Sequence, residues 1–577
     1  MHKPLLSIVV SIAVVVGACD SATISAAPPA TNEPGTSGEA SAPALSDLAD
    51  DQILRVSISG EPATLDPTIA AGPEVAVLRA LHRPLVDLNE DSEVVPALAE
   101  SWDVSDDART LTFHLREAKY SNGETIVADD IVYSWRRLAD PRTAASYSYV
   151  MAEVEGGPEL LAMAGEELPS DADIESALDN LGAAAPDHET FVVTLNTPAS
   201  YFLSAMSLWV FGPLQESWIT SEGATEAANY VSSGPFILDT WNHDREIILK
   251  PNPYWYGDVR PTLTEIRMSM FGEPAQAQAA YEAGEIDIVL TPNEDVQRIR
   301  ADPVLSAESR ETPVLAITYY AFNNFQDPSA TSYDNPGPTA SKDFRVALIQ
   351  AIDKRAMIDA TYGGLGQIAN SFIMPGIPGH QPDLNPYPHD VGAARQHMDT
   401  ALAALGVASA TELGRLRIGY GSGLGREPQV AFLAEAWRQA FGLETEQIVS
   451  DPSVFVSERG LGAYAISAAG WGADYPHAYN QLSGVFTCRG GNNIAQYCNP
   501  AFDLHLARAA AEPDQDEQLA ILDEAQTLLV EDAAFLPIVF LVTPYEVKPY
   551  VSGLTVTPLD GMAPGSSFYE TIRILSR

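Results

Sequence analysis

The sequence predicts an α/β fold divided into two or three domains, and three observations carry that expectation. At 577 residues the chain is too long for a single hydrophobic core. Hydrophobic residues make up 46% of it, enough for compact folding throughout and unlike a disordered chain. The last third alternates regularly: strand at 416–420, helix at 428–441, strand at 445–449, then a short helix and a strand at 464–468. That rhythm is the pattern of a mostly parallel sheet with crossover helices.

In chain order, folded structure is expected from Ile53, where 53–58 reads as a strand followed by a turn at Ser59 to Pro62. Helical spacing covers 74–81, and alternating strands cover 101–104 and 110–115. A helix is expected at 128–138, with Asp129 and Asp130 in its first turn, where the helix dipole favours acids. Residues 140–149 are read as opening a helical, Ala/Glu/Leu-rich region that runs to Leu181. Strands follow at 189–195 and as an antiparallel pair spanning 233–250, ahead of a rigid aromatic corner at 251–257. A strand, helix, strand unit covers 263–290, a strand covers 316–324, and one long amphipathic helix is expected over 344–360. Near the end, 507–532 reads as helix and 534–541 as the strand returning the chain to its first part. Two crossings, near 316–322 and 538–545, would form a hinge.

The amino terminus is a short basic start followed by an apolar run from Leu5 to Val16. Up to Ala18 this is shorter than the roughly 20 residues that span a bilayer, so it reads as an export signal. It ends in Val16-Gly-Ala-Cys19, which resembles a bacterial lipobox, in which the signal is removed before a Cys that receives lipid. The resemblance implies a signal peptide at 1–18, lipidation at Cys19 and a membrane tether; Asp20 resembles an inner-membrane retention signal of Gram-negative lipoproteins. The Ala/Pro/Ser-rich stretch at 19–49 cannot offset its ordering entropy by burial and reads as a flexible tether.

Only 32 Lys and Arg stand against 78 Asp and Glu, a formal charge of -46. Such a surface repels phosphate backbones, so nucleic acid is excluded as a partner class. No zinc-binding His-Glu-x-x-His helix, nucleophile elbow or complete phosphate-gripping loop occurs; the Gly-rich 419–425 lacks the Lys-Ser/Thr that would hold phosphate. No catalytic residue, metal or cofactor is therefore assigned, and the chain is read as a non-enzyme. Cys488 and Cys498 flank a polar Gly/Asn loop, and export favours a short-range disulfide between them. A metal site is the rival reading, and it lacks partners, since His505 is the only His close downstream.

Residues 470–476 are the focal stretch. Two glycines and a proline redirect the chain just after the apolar 464–469 and set Asp474 beside Trp471 and Tyr475. Ligands of open α/β sheets sit outside the carboxyl ends of strands, which makes Asp474 a binding candidate. Taken alone, the same residues also fit an ordinary turn with core aromatics.

Several ordered blocks decide between these readings. They include Glu61-Pro-Ala-Thr-Leu-Asp-Pro67, Pro96-Ala-Leu-Ala-Glu-Ser-Trp102, Tyr133-Ser-Trp-Arg-Arg-Leu-Ala-Asp-Pro141, Ser233-Gly-Pro-Phe236 and Gly470-Trp-Gly-Ala-Asp-Tyr475. Over about residues 53–577 the chain resembles the extracellular solute-binding proteins, family 5, that serve ABC transporters for peptides. The resemblance implies a type II periplasmic binding protein fold, with two lobes around a hinge and an extra subdomain. On this sequence lobe I would be 50–83, 209–316 and 542–577, the extra subdomain 84–208 and lobe II 317–541. It implies that Asp474 pairs with a peptide amino group, that Gly472 and its neighbour Trp471 meet peptide backbone, and that Tyr147 lies across the cleft. It matches Arg459 to a cleft arginine and Gly72 to the first cleft loop. The partners implied are a peptide ligand and an ABC permease with its ATPase, in the periplasm. Three positions depart from the family pattern: Ala71 replaces an acid before Gly72, Ala468 replaces an arginine that meets the carboxyl end of short peptides, and Gly472 replaces a Cys. The amine anchor is retained, and the carboxyl anchor is not at its usual place.

Overall fold

The structure, a computed structural model, describes residues 47–576 apart from 73, 166, 200, 325–336, 423–424, 489, 491 and 562. The signal at 1–18, Cys19 and the tether up to residue 46 lie outside the described residues. Residues 47–49, assigned to the tether from composition, are tied down. Leu48 bridges Leu575, and the Ala49 amide donates to the Ile574 carbonyl at 2.9 Å.

One eleven-stranded sheet organises the chain. Its order is Glu444–Ser450, Arg415–Gly421, Ile466–Gly472, Ser309–Phe322, Phe535–Val547, Ile288–Leu290, Ile53–Ile58, Glu265–Met270, Glu246–Pro251, Phe236–Asn242, with Gln367–Ile368 pairing off that path with Phe535–Val547. Ile53–Ile58 pairs in parallel with Glu265–Met270, and Arg415–Gly421 with Glu444–Ser450, while the edge strands Glu246–Pro251 and Phe236–Asn242 pair antiparallel. The centre is antiparallel: Ser309–Phe322 pairs with both Ile466–Gly472 and Phe535–Val547. The sheet is thus mixed.

The two long central strands carry the chain between the halves of the sheet. Both expected crossings, 316–322 and 538–545, fall inside them. Their ladder shifts register between Pro313 and Ile317. Pro313 has no amide hydrogen to give to the ladder, and a second shift follows between Thr318 and Tyr319.

Each half has its own core. Around Ile53–Ile58 a large cluster unites Leu54, Val56, Leu78 and Leu81 with the aromatic group Phe113, Trp135, Phe191, Phe202 and Phe211. Trp135 comes from the helix Ala128–Ala139, and it faces a separate four-stranded sheet ordered Ala99–Val104, Thr110–Leu115, Thr190–Thr194, Ala183–Asp187. The other half packs one core on each face of Ile466–Gly472. Ile466 and Ala468 join Leu348, Trp437 and Ile538 on one face; Ala469 joins Phe372, Phe486 and Phe535 on the other. Odd and even residues of one strand divide between two cores because strand side chains alternate.

Two long helices expected from periodicity are each two helices. Lys342–Gln350 and Lys354–Thr361 replace the single helix at 344–360, because Asp353 turns its carboxylate to the Ala356 amide at 2.9 Å and starts a new helix. Pro500–Ala510 and Gln515–Glu531 replace 507–532; Pro513 interrupts, and Asp514 caps the second through the Asp516 and Glu517 amides. Between 140 and 181 the expected helical region is a 3-10 turn, Ser148–Glu153, then the helices Gly157–Met163 and Asp171–Leu178.

Cys488 and Cys498 are joined by a disulfide. The loop it closes, with a sequence separation of 10, is small. Reduction is expected to lower stability by about 2–3 kcal/mol through the loop-closure entropy it releases. Urea unfolding with and without reductant tests this; superimposable curves would contradict it.

Candidate functional site

The strand that ends at the focal stretch is longer than its apolar run suggested. It continues through Gly470, Trp471 and Gly472, all within Ile466–Gly472, so these residues are strand and the turn begins after them. Registry with Ser309–Phe322 holds it there, with Gly472 opposite Ala316 and Gly470 opposite Thr318. On its other side the strand pairs with Arg415–Gly421 only at Ile466 and Ser467. From Ala468 to Gly472 that edge has no strand partner among the described residues, and Gly470 and Gly472 are exposed. A free strand edge offers backbone donors and acceptors to an incoming extended chain.

Asp474 follows directly, half-buried. Its Oδ1 accepts from the Tyr147 hydroxyl at 3.1 Å, and its Oδ2 accepts from the Tyr149 hydroxyl at 2.5 Å. Its amide donates to Asn480 Oδ1 at 3.3 Å. Tyr147 and Tyr149 stand at the start of the turn Ser148–Glu153, and Tyr147 is fixed edge-on against Trp209 with centroids 4.8 Å apart. The carboxylate therefore reaches across to the opposite half and is held by neutral donors alone.

The charges around it are already matched. A cavity of about 40 Å³ beside Asp474 is lined by Arg79 and Arg83. Arg79 pairs with the fully buried Asp560 at 3.2 Å, and Arg83 pairs with Glu570 at 2.6 Å and with Asp87. Among the described residues no cation pairs with Asp474. Burial pushes its carboxyl above the usual range, and the hydroxyls of Tyr149 and Tyr147 only partly oppose that. Both tyrosines are pushed up by burial and then by the Asp474 charge, so they stay protonated donors.

Beyond Tyr149 a second cavity, of about 390 Å³, is walled by Tyr201, Trp471, Tyr475 and Tyr479, with Glu153 at its rim. Tyr201 stacks on Tyr479 with centroids 4.3 Å apart and lies parallel to Tyr475 at 6.3 Å. Trp471 Nε1 is buried and has no hydrogen-bond partner among the described residues. Burial pushes the Glu153 carboxyl up. The walls are large and flat, as suits a ligand pocket.

The other site residues read from the sequence lie as follows. Gly472 is on the free edge. Gly72 lies in the loop before the helix Val75–Leu81, where the Glu74 carboxylate takes the Ala71 amide at 3.0 Å and the Gly72 amide at 2.9 Å. Those loop amides are thereby occupied, and among the described residues no hydrogen bond joins Gly72 to the Asp474 cluster. Arg459 ends the helix Pro452–Gly460 with its guanidinium 5.3 Å from the Phe455 ring centroid. Its Nε is buried without a partner among the described residues, and burial lowers its pKa.

Sequence reasoning missed Tyr149 and Arg426. Tyr149 stands two residues after Tyr147, and that spacing on one short turn was the available signal. Arg426 adjoins the strand at Ala469 and Gly470, where its guanidinium donates to Thr318 Oγ1 at 3.0 Å, Gln429 Oε1 at 3.1 Å and the Ala469 carbonyl at 3.5 Å. No group of three or more His, Cys, Asp or Glu among the described residues is arranged to hold a metal ion.

An uncompensated carboxylate of this kind makes ammonium binding pH-dependent. The charge of a bound ammonium lowers the Asp474 pKa from its raised value in the free protein, so binding releases a proton between the two. Affinity for an amine ligand is expected to be full above the raised pKa and to fall as pH drops through it. Calorimetry in two buffers of different ionisation enthalpy measures the proton released; a pH-independent affinity across the acid range would contradict it.

Known proteins share this architecture. The family profile described as bacterial extracellular solute-binding proteins, family 5 Middle, matches residues 93–493. The periplasmic murein peptide-binding protein MppA of Escherichia coli (strain K12) is 28% identical over 527 residues, covering 90% of this chain and 94% of its own. The solved structure of the Escherichia coli murein tripeptide binding protein MppA superimposes with a TM-score of 0.74 at 26% identity, over 92% of this chain and all of that one (100%). The structure of Haemophilus influenzae OppA in complex with RPPGFSPFR gives 0.72 at 26%, over 92% and 100%. These neighbours are two-lobed periplasmic binding proteins. With the profile spanning well over half of its length, the chain belongs to the family 5 bacterial extracellular solute-binding proteins.

Proposed function

We propose that the protein captures peptides between its two lobes and delivers them to the permease of an ABC importer, with Asp474 binding the peptide amino group. The single observation that carries this is a half-buried carboxylate with no cation of its own, set at the end of a free strand edge. Burying a charge is costly unless an opposite charge arrives with the ligand, so the site selects ammonium. In the free protein the Tyr147 and Tyr149 hydroxyls hold the position an ammonium would take. The exposed edge at Gly470 and Gly472 supplies main-chain hydrogen bonds that do not depend on side-chain identity. The aromatic cavity beyond Tyr149 gives room for side chains, and Trp471, Gly472 and Tyr147 are assigned to ligand contact. Gly72 and Arg459 are kept as cleft residues on resemblance alone.

Lobe I is assigned to 50–83, 209–316 and 542–577, the extra subdomain to 84–208 and lobe II to 317–541, with the irregular ladder at Pro313 as the hinge. A cleaved signal at 1–18, lipid on Cys19 and a tether would hold the protein in the periplasm on the inner membrane. Its role there is binding, not catalysis. Mass spectrometry of ligand retained on the purified protein, followed by calorimetry with a peptide mixture, tests the reading. Recovered peptides support it; recovery of a sugar, an opine or a metal chelate instead would overturn it.

A further inference from the structure

Glu153 carries a second charge that the fold leaves without a counterion. Its backbone is tied down: the Glu153 carbonyl accepts the Asn196 amide at 2.8 Å, and the next residue, Val154, bridges Leu195. Its side chain is not so engaged, and among the described residues no cation pairs with the carboxylate. The carboxylate stands close to the phenols of Tyr201, Tyr475 and Tyr479. Burial first, and then the Glu153 charge, push all three phenols up, so they stay protonated.

The space beside this group is a pocket. The cavity of about 390 Å³ lies between the turn Ser148–Glu153 and the helix Ala478–Phe486, and Glu153 is the only charged residue among the described residues that line it. The rings of Tyr201, Tyr475 and Tyr479, which lie stacked, give it aromatic walls, and aromatic faces attract cations. The cavity adjoins the amine anchor through two residues. Tyr149 donates to Asp474 Oδ2 and also lines the cavity; Asn480 accepts the Asp474 amide and also lines it. A peptide whose amino group sits at Asp474 therefore has its first side chain at the mouth of this cavity.

We infer that the cavity takes the first side chain of the peptide and that Glu153 makes it select a cationic one, Lys or Arg. This rests on the peptide reading above, with Asp474 at the amino group, and adds the ligand class: peptides that begin with a basic residue. A Lys or Arg stem is apolar and can lie along aromatic walls while its charged end meets the carboxylate. An uncharged side chain would close the same pocket over Glu153 and leave that carboxylate dehydrated with no partner. An acidic one would place two like charges in one small space.

Calorimetry with three tetrapeptides tests the inference: Lys followed by three Ala, norleucine followed by three Ala, and Ala-Lys-Ala-Ala. Norleucine keeps the stem and lacks the ammonium. The titrations are made on the wild-type protein and on Glu153→Gln and Glu153→Asp, with thermal melts confirming that each variant folds. In the wild type the Lys-first peptide is expected to bind about tenfold or more tighter than the norleucine-first peptide. Glu153→Gln should bind the two alike, with the norleucine-first affinity kept, and Glu153→Asp should recover part of the preference. Equal wild-type affinity for the two, or a preference for norleucine, would overturn the inference and leave the amine anchor standing. So would a Lys preference that survives in Glu153→Gln, or tighter binding of Ala-Lys-Ala-Ala than of the Lys-first peptide. Failure of all three peptides and of tetra-alanine to bind would overturn the peptide reading and the inference together.

Discussion

Replacing Asp474 by Ala is expected to weaken peptide binding by about 3–5 kcal/mol, the cost of stranding one member of a buried ion pair. At about 1.4 kcal/mol per tenfold, that is a loss of two to three and a half orders of magnitude in affinity. The free protein should tolerate the change well. The carboxylate is half-buried and carries a raised pKa, so its charge is a burden on the unliganded fold, and Tyr149, one of the two tyrosines it releases, lines a cavity. Asp474→Asn separates charge from shape, since an amide oxygen still accepts from one tyrosine while the negative charge is gone. It should lose nearly as much affinity as Asp474→Ala. If Asp474→Asn bound as tightly as the wild type, hydrogen bonding would be the basis of recognition, and the argument from charge would fail.

A second large effect is expected far from the cleft, at Trp135. This side chain is fully buried and touches Phe191, Phe211 and Phe202 at centroid separations of 4.9, 4.8 and 6.0 Å. It joins the helix Ala128–Ala139 to the four-stranded sheet and to the segment around Trp209, against which Tyr147 rests. Trp135→Ala removes the centre of that aromatic group and leaves a cavity, at a cost of about 3–5 kcal/mol. The loss should appear in urea unfolding as an early transition of the unit that contains the four-stranded sheet. Because Tyr147 and Tyr149 are positioned through this packing, the variant should also hold Asp474 less firmly in the free state. A loss below about 1 kcal/mol would show that the surrounding rings close the gap, and that Trp135 is not the keystone of this unit.

How much of this was legible in the sequence depended on how local its cause was. The strands at 53–58, 110–115 and 415–421 and the helix at 128–139 have clean periodicity and lie close to where pattern alone put them. The false long helices at 344–360 and 507–532 kept a helical pattern across a break, and the break was decided by one capping carboxylate in each case, Asp353 and Asp514. Glycine misled at 470–472: in isolation Gly-Trp-Gly signals a turn, yet cross-strand pairing to Ala316, Ile317 and Thr318 holds it extended. That is tertiary context overriding local preference. Asp474 was singled out because it stands beside aromatic residues after an apolar run, and the family resemblance favoured a binding role over an ordinary turn. Its partners were not. Tyr149 lies 325 residues away in sequence, and Arg426 meets Ala469 across 43. No spacing rule connects such pairs, and only the folded chain brings them together.

On the proposed reading, a carboxylate with no cation of its own among the described residues, at the end of a free strand edge, selects its ligand by an ammonium group. The most direct measurement is a pair of calorimetric titrations, tetra-alanine against N-acetyl-tetra-alanine, which differ in that charge. Capping the amine is expected to reduce affinity at least a hundredfold, with the proton release that accompanies the free peptide absent. Equal affinity for the two peptides, with equal proton release, would contradict the account.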